Sequence, residues 1–272
     1  PFLTAIFSNS PLHLGKPSEY KSFRSHIWQN TDGTRSGIPG AFIRKDFTIE
    51  DYIDWALLAS PYHLNRQGEI HELMDHSFRN LMDGSYPQIK TDFEDWKDHL
   101  GMLFPEIRIK NIIEIRSIDT LNPEYVLAVP ALLQALIYDE SVFGKLESMM
   151  MDLPENEFPW YQQVAARDGL AGQVNQINFS HFAKKLMEMA LESLTLSEGC
   201  RLALFFDRYT RHGLSPADLV LERFYSADEN PLKWIHKELQ SDEEKQSSFI
   251  NFPCDVDELS LIHISEPTRL SV

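Results

Sequence analysis

The sequence predicts an α+β fold, and three observations predict it. Residues 104–119, FPEIRIKNIIEIRSID, alternate apolar and charged side chains with a period of two, the mark of a strand with two unlike faces. Residues 131–151 and 182–196 instead repeat their apolar side chains at helical spacing. The first 45 residues hold neither pattern. Turn signals at NSP, GKP, TDG and SGIPG divide them into short strands and long loops, the segments that commonly carry sites.

After this opening, DFTIEDYIDWALLA from Asp46 to Ala59 has an acidic first turn and helical apolar spacing, so it reads as a helix. Residues 61–90 read as a small hairpin and a short connecting helix. Thr91 to Leu100 reads as a helix capped by Thr91 or Asp92. A single strand is expected over 106–117, with Ile107, Ile109, Ile113 and Ile115 on one surface. Arg108, Lys110, Glu114 and Arg116 share the other. Antiparallel sheets commonly pack one face on a core and leave the other in water, so the isoleucine surface is expected to be the buried one. Ala131–Met151 and Phe182–Leu196 follow as long helices, the second with a stripe of Phe182, Leu186, Met189, Ala190 and Leu194. The methionines at 149–151 and at 187 and 189 read as core rather than as a cofactor site. A last helix is expected from Pro216 to Phe224, with Ser215 as its cap and Pro216 at its first position.

The 272 residues suffice for a sizeable core, and 43% apolar with 24% charged residues is a globular composition. The net charge of −16 argues against a nucleic-acid partner, because phosphate backbones demand a basic surface. No apolar run reaches the length that spans a bilayer, so no membrane partner is expected. Cys200 and Cys254 are too few for a disulfide framework, and with no secretory signal at the start a cytoplasmic location is expected. The charge is uneven: residues 1–45 hold six cations against two carboxylates, which suggests a local site for an anionic ligand.

Two apparent motifs do not survive inspection. Gly15-Lys16 is followed by Pro17 where a phosphate loop needs Ser or Thr. HELMDH at 71–76 spaces its histidines five apart, so they would not share a helical face as zinc ligands must. What remains is an ordered set: FLTAIFSNSPLHLGKP, YKSFRSHIW, TDGTRSGIP, then FPEIRIKNIIEIRSID. Together they resemble the glutamate–cysteine ligase family of the plant and bacterial type, over roughly residues 1–225. Residues 226–258 are expected to form an acidic C-terminal segment, and LSLIHISEPTR within 259–272 resembles a translated sequencing-library adapter. On this resemblance the chain is expected to be the C-terminal part of a ligase.

The resemblance implies a glutamine-synthetase-like catalytic fold, an antiparallel sheet funnel lined by carboxylates and arginines. It implies ATP, L-glutamate and L-cysteine as small-molecule substrates, with magnesium as cofactor and a γ-glutamyl phosphate between them. A carboxylate is a poor electrophile, so amide formation requires its activation, and phosphoryl transfer relies on positioning and on neutralising charge. Glu114 suits magnesium, which prefers oxygen ligands. Arg116, on the same face, suits a bidentate clamp on phosphate or carboxylate. By the resemblance Arg24 meets the substrate carboxylate, Trp28 walls its pocket and Tyr62 stands near the amine substrate. Arg35 and Arg108 are phosphate or nucleotide contacts. SPYHLNR around Tyr62 departs from the family's more apolar stretch, leaving open a ligase for another amine, or a non-catalytic binding module of the same fold.

Overall fold

Several helices among the described residues start where a side chain can take up the unpaired N–H groups of a first turn. In the computed structural model, which describes residues 1–66, 68–73, 76–85 and 89–226, Thr48 caps Ile49–Leu58 and Asp92 caps Phe93–Gly101. Thr195 caps Leu196–Arg208, and all three caps are reciprocal boxes with Asp51, Asp95 and Glu198. The expected helix over 131–151 is in fact two, Ala128–Tyr138 and Glu140–Met151, because Asp139 leaves helical geometry and accepts the Val142 amide at 3.0 Å. The axes turn by 87° at that point. The expected helix at 182–196 is Phe179–Ser193, capped by Asn178. The opening loops also hold a short helix, Phe23–Gln29, that the turn signals hid. The acidic segment after Ser226, the adapter-like tail and Cys254 lie outside the described residues.

The main core joins Phe2–Ile6, Ala128–Tyr138, Phe158–Asp168, Phe179–Ser193 and Leu196–Arg208. Phe2 stacks on Phe182 at 3.8 Å, and Phe7 meets Phe205 at 4.9 Å. Met187 and Met189 are core residues, as their stripe implied. Burying each large apolar side chain stabilises the fold by about 1.5–3 kcal/mol, which fixes the floor under the site. A smaller cluster of Ala56, Ala59 and Leu103, with Trp55, Trp96 and Leu100, holds the helices Ile49–Leu58 and Phe93–Gly101 together.

Among the described residues strands pair only in twos. Ser36–Gly37 runs parallel to Phe104–Pro105, and His63–Arg66 pairs with Glu69–Glu72 as the expected small hairpin. The expected strand over 106–117 is itself a hairpin, Ile107–Ile109 against Ile113–Ile115, turning through Lys110, Asn111 and Ile112. Mixed helices and small sheets give the α+β class. No single helix among the described residues is long and apolar enough to cross a membrane.

Candidate active site

The hairpin keeps the predicted faces but buries neither: Ile109, Ile115, Arg108, Glu114 and Arg116 are half-buried and Lys110 is exposed. Its register pairs Ile107 with Ile115, Arg108 with Glu114 and Ile109 with Ile113, so the three-residue turn preserves the alternation. Ile107 and Ile113 are 47% and 67% exposed, whereas the Arg108 side chain is only 12% exposed. The expectation of a buried isoleucine face is therefore corrected. Period two separates faces by composition, but the neighbours that lie across the sheet decide which face is covered.

Arg108 is consumed by the protein itself. Its Nη2 and Nε donate to Glu114 Oε2 at 2.5 and 2.9 Å, and Nη1 donates to the carbonyls of Gly101 and Leu103 at 3.0 and 3.1 Å. These bonds tie the hairpin to the end of helix Phe93–Gly101 rather than leaving a guanidinium ready for a nucleotide. The hydrogen bond from Arg108, ahead of the nearby charges of Arg108, Lys110 and Arg116, holds the Glu114 carboxyl below its ordinary value, so it stays ionised near neutrality.

Arg116 is placed differently. Its guanidinium stands 5.6 Å over the ring of Trp28 and 5.5 Å over that of Phe104, with Glu114 3.8 Å away. Cation–ring attraction holds it without using up its donors. Desolvation, followed by the like charge of Arg108, lowers its proton affinity, and arginine remains a cation regardless.

Helix Phe23–Gln29 brings the second arginine. Ser22 caps it by accepting the Ser25 amide at 3.1 Å, and Arg24 and Trp28, one turn apart, share a face. Arg24 Nη2 donates to the Arg116 carbonyl at 2.6 Å, and Trp28 packs on Phe104 with centroids 5.4 Å apart. The structure thus brings Arg24, Trp28, Glu114 and Arg116 together as one group. Beside it opens a cleft of about 510 Å³ lined by Trp28, Gln29, Ser36, Gly37 and Gln162 among others. Gln162 reaches Glu106 at 3.4 Å.

Arg35 and Tyr62 form a separate group. Arg35 is 3% exposed, donates from Nε to Asp32 at 2.7 Å and stacks 3.7 Å over the Tyr62 ring. It is buried, and the Asp32 turn collects its Nε. The Thr34 hydroxyl bond, more than Arg35 itself, holds the Asp32 carboxyl below its ordinary value. Arg35 Nη1 and His99 Nδ1 are buried without hydrogen-bond partners among the described residues.

Sequence reasoning missed Phe104, which completes the ring pair around Arg116, and Asp119, a buried carboxylate behind it. Both lie at the ends of the quoted run, outside the 106–117 strand expected there, and no pattern marked either as a site residue.

One arginine over aromatic rings and a second bonded to its carbonyl, beside an ionised carboxylate, suit an anionic small molecule. The chain belongs to the glutamate-cysteine ligase family 2 (GCS2), whose profile matches residues 1–246. It is 32% identical over 231 residues to a chloroplastic glutamate–cysteine ligase of Nicotiana tabacum, covering 83% of this chain and 44% of that one. The match to the Solanum lycopersicum enzyme of the same name is 31% identical over 83% of this chain and 44% of that one. With glutamate–cysteine ligase A, chloroplastic, of Oryza sativa subsp. indica, identity is 30% over 88% of this chain and 50% of that one. The chain spans about half the length of the curated relatives it matches. The cytoplasmic expectation is corrected here, since these relatives are named chloroplastic. Organelle addresses reside in dedicated transit segments, so cysteine count and composition do not reveal them.

Proposed function

We propose that this chain carries the arginine side of the active centre of an ATP-dependent glutamate–cysteine ligase. ATP transfers its γ-phosphoryl to the γ-carboxylate of L-glutamate, and the amine of L-cysteine then displaces phosphate from the γ-glutamyl phosphate. This is the first step of glutathione biosynthesis. The observation that carries the reading is Arg24 bound to the Arg116 carbonyl under the Trp28–Phe104 wall, in a chain of this family.

Each residue has a part in this reading. Arg24 grips the glutamate carboxylate and Trp28 closes that pocket. Arg116, whose donors are not tied to Glu114, neutralises charge on the phosphoryl group in flight. Arg108 acts through Glu114 by fixing the carboxylate. Tyr62 orients Arg35, and both stand behind the site rather than in it. Residues 1–225 make up the catalytic part, and the hairpin is one piece of a glutamine-synthetase-like antiparallel funnel.

Glu114 is proposed as one oxygen ligand of magnesium, which would supply neutralisation of phosphate charge when bound. The described residues do not fit a complete site: they contain no cluster of three metal-ligating side chains, and Glu114 Oε2 is taken by Arg108. No step here is routed through the metal.

The test uses a chain extended to the length of its relatives, with ADP release measured from ATP, glutamate, cysteine and magnesium, and with other amines in place of cysteine. Cysteine is expected to be preferred. Arg24→Lys should weaken glutamate by about 2 kcal/mol, or about thirtyfold in KM, with ATP little changed, because lysine cannot supply a bidentate fork. Equal rises in both KM values would show that Arg24 serves architecture, and absence of turnover in the parent enzyme would sink the ligase reading.

A further inference from the structure

Asp119 is 5% exposed and lies three residues beyond Arg116. Its Oδ2 accepts the Asn9 amide at 2.8 Å and the Ser10 hydroxyl at 2.7 Å, and its Oδ1 accepts the Ser22 hydroxyl at 2.8 Å. A buried carboxylate with this many neutral donors is expensive to place, since it must give up water and gains no cation in return. Its partners show what it holds. The Ser10 hydroxyl, while donating to Asp119, accepts the Arg24 amide at 3.1 Å. The Ser22 hydroxyl, also donating to Asp119, accepts the Ser25 amide at 3.1 Å. A hydroxyl whose proton is claimed by a carboxylate must present its lone pairs elsewhere, so both serines are fixed as acceptors for the first turn of the Arg24 helix.

The same chain segment holds the other end of Arg24. Its guanidinium donates to the Arg116 carbonyl, while Thr4 Oγ1 donates to the Ser117 carbonyl at 3.0 Å and Asn9 Nδ2 to the Thr120 carbonyl at 2.8 Å. Backbone and side chain of Arg24 are thus both referenced to residues 116–119. We propose that Asp119 is the positioning residue that sets Arg24 against Arg116, and so sets where the glutamate carboxylate sits relative to the phosphoryl-neutralising cation. The proposal rests on the ligase reading for its substrate, but the network exists without it.

The test compares Asp119→Asn with the parent in the extended enzyme. The carboxamide keeps the shape but turns one acceptor into a donor, so one serine must reverse. The expected result is a rise of about tenfold or more in glutamate KM, with ATP KM changed less than about twofold. Combined with Arg24→Lys the losses should be clearly less than multiplicative, because Asp119 acts through Arg24. Equal rises for both substrates, or fully multiplicative losses, would overturn the proposal. If Asp119→Asn does not fold, Ser10→Ala, which removes one donor to Asp119 together with the acceptor of the Arg24 amide, should show the same split at smaller size, and an unchanged glutamate KM would overturn it. If the parent enzyme does not ligate, the ligase reading fails alone. The positioning claim is then read by hydrogen exchange: the Asn9 and Arg24 amides should exchange faster in Asp119→Asn, and unchanged protection would overturn it.

Discussion

Arg116 and Arg35 lie on neighbouring segments, since Phe104 donates its amide to the Arg35 carbonyl at 2.6 Å and also carries the Arg116 guanidinium on its ring. Both are arginines over aromatic rings, and both come from segments that looked functional in the sequence. Their surroundings make them opposites. Arg35 is 3% exposed and bonded to Asp32, so its charge is already answered. Arg116 is 22% exposed, with the Glu114 carboxylate 3.8 Å away and shared with Arg108. A guanidinium held by rings alone can still accept an incoming anion, whereas one bonded to a carboxylate must first lose that bond. The difference teaches that an arginine's availability depends on what claims its donors, not on the motif it stands in.

The largest expected effect breaks the comparison at Arg116. Arg116→Ala in the extended enzyme should reduce kcat by on the order of 100-fold or more while the melting temperature moves only a few degrees. A large drop in melting temperature with turnover intact would make Arg116 structural, like Arg35. Next comes Asp32→Ala, which leaves a buried guanidinium without its carboxylate and should lower stability by about 2 kcal/mol. The loss should register in thermal melting rather than in glutamate KM. Loss of turnover without loss of stability would instead return Arg35 to the ligand.

The smallest effect sharpens the contrast through pH. Burial is the main cause that lowers His99 below its ordinary value of 6.5, and the Arg35 charge acts in the same direction, while the bond to the Ala56 carbonyl raises it. The unfolded chain therefore takes up this proton at higher pH than the folded one, so the stability it contributes is complete above about 6.5 and declines as pH falls below that. Glu114, lowered instead by its bond to Arg108, keeps its contribution above 4.5 and loses it only as pH falls through its lower folded value. Urea midpoints should thus decline between pH 7 and 5.5 in the parent chain and stay flatter in His99→Gln. Identical slopes in the two proteins would remove His99 from this account.

Much of the fold was readable because it is local. Asp92 caps its helix as the sequence suggested, by reaching amides two and three residues on, and such contacts survive in almost any tertiary setting. The site was readable where one repeat carried it: alternation put Glu114 and Arg116 on a common face, and helical spacing put Arg24 beside Trp28. It was unreadable where distant segments meet. Nothing in TDGTR says that Tyr62 will cover Arg35, and nothing in SID says that Asp119 will claim two serines about a hundred positions earlier.

By itself, then, the sequence determined the α+β class, the presence of most of the long helices, the two faces of the hairpin and the family. Those follow from backbone geometry and from short-range bonding, which adjacent residues specify among themselves. The tertiary structure alone decided that the isoleucine face is not buried, that Arg108 is tied down while Arg116 is not, and that Asp119 stands behind Arg24. Each of these depends on which remote group arrives within hydrogen-bonding distance and excludes water there, and a linear pattern contains no measure of that distance.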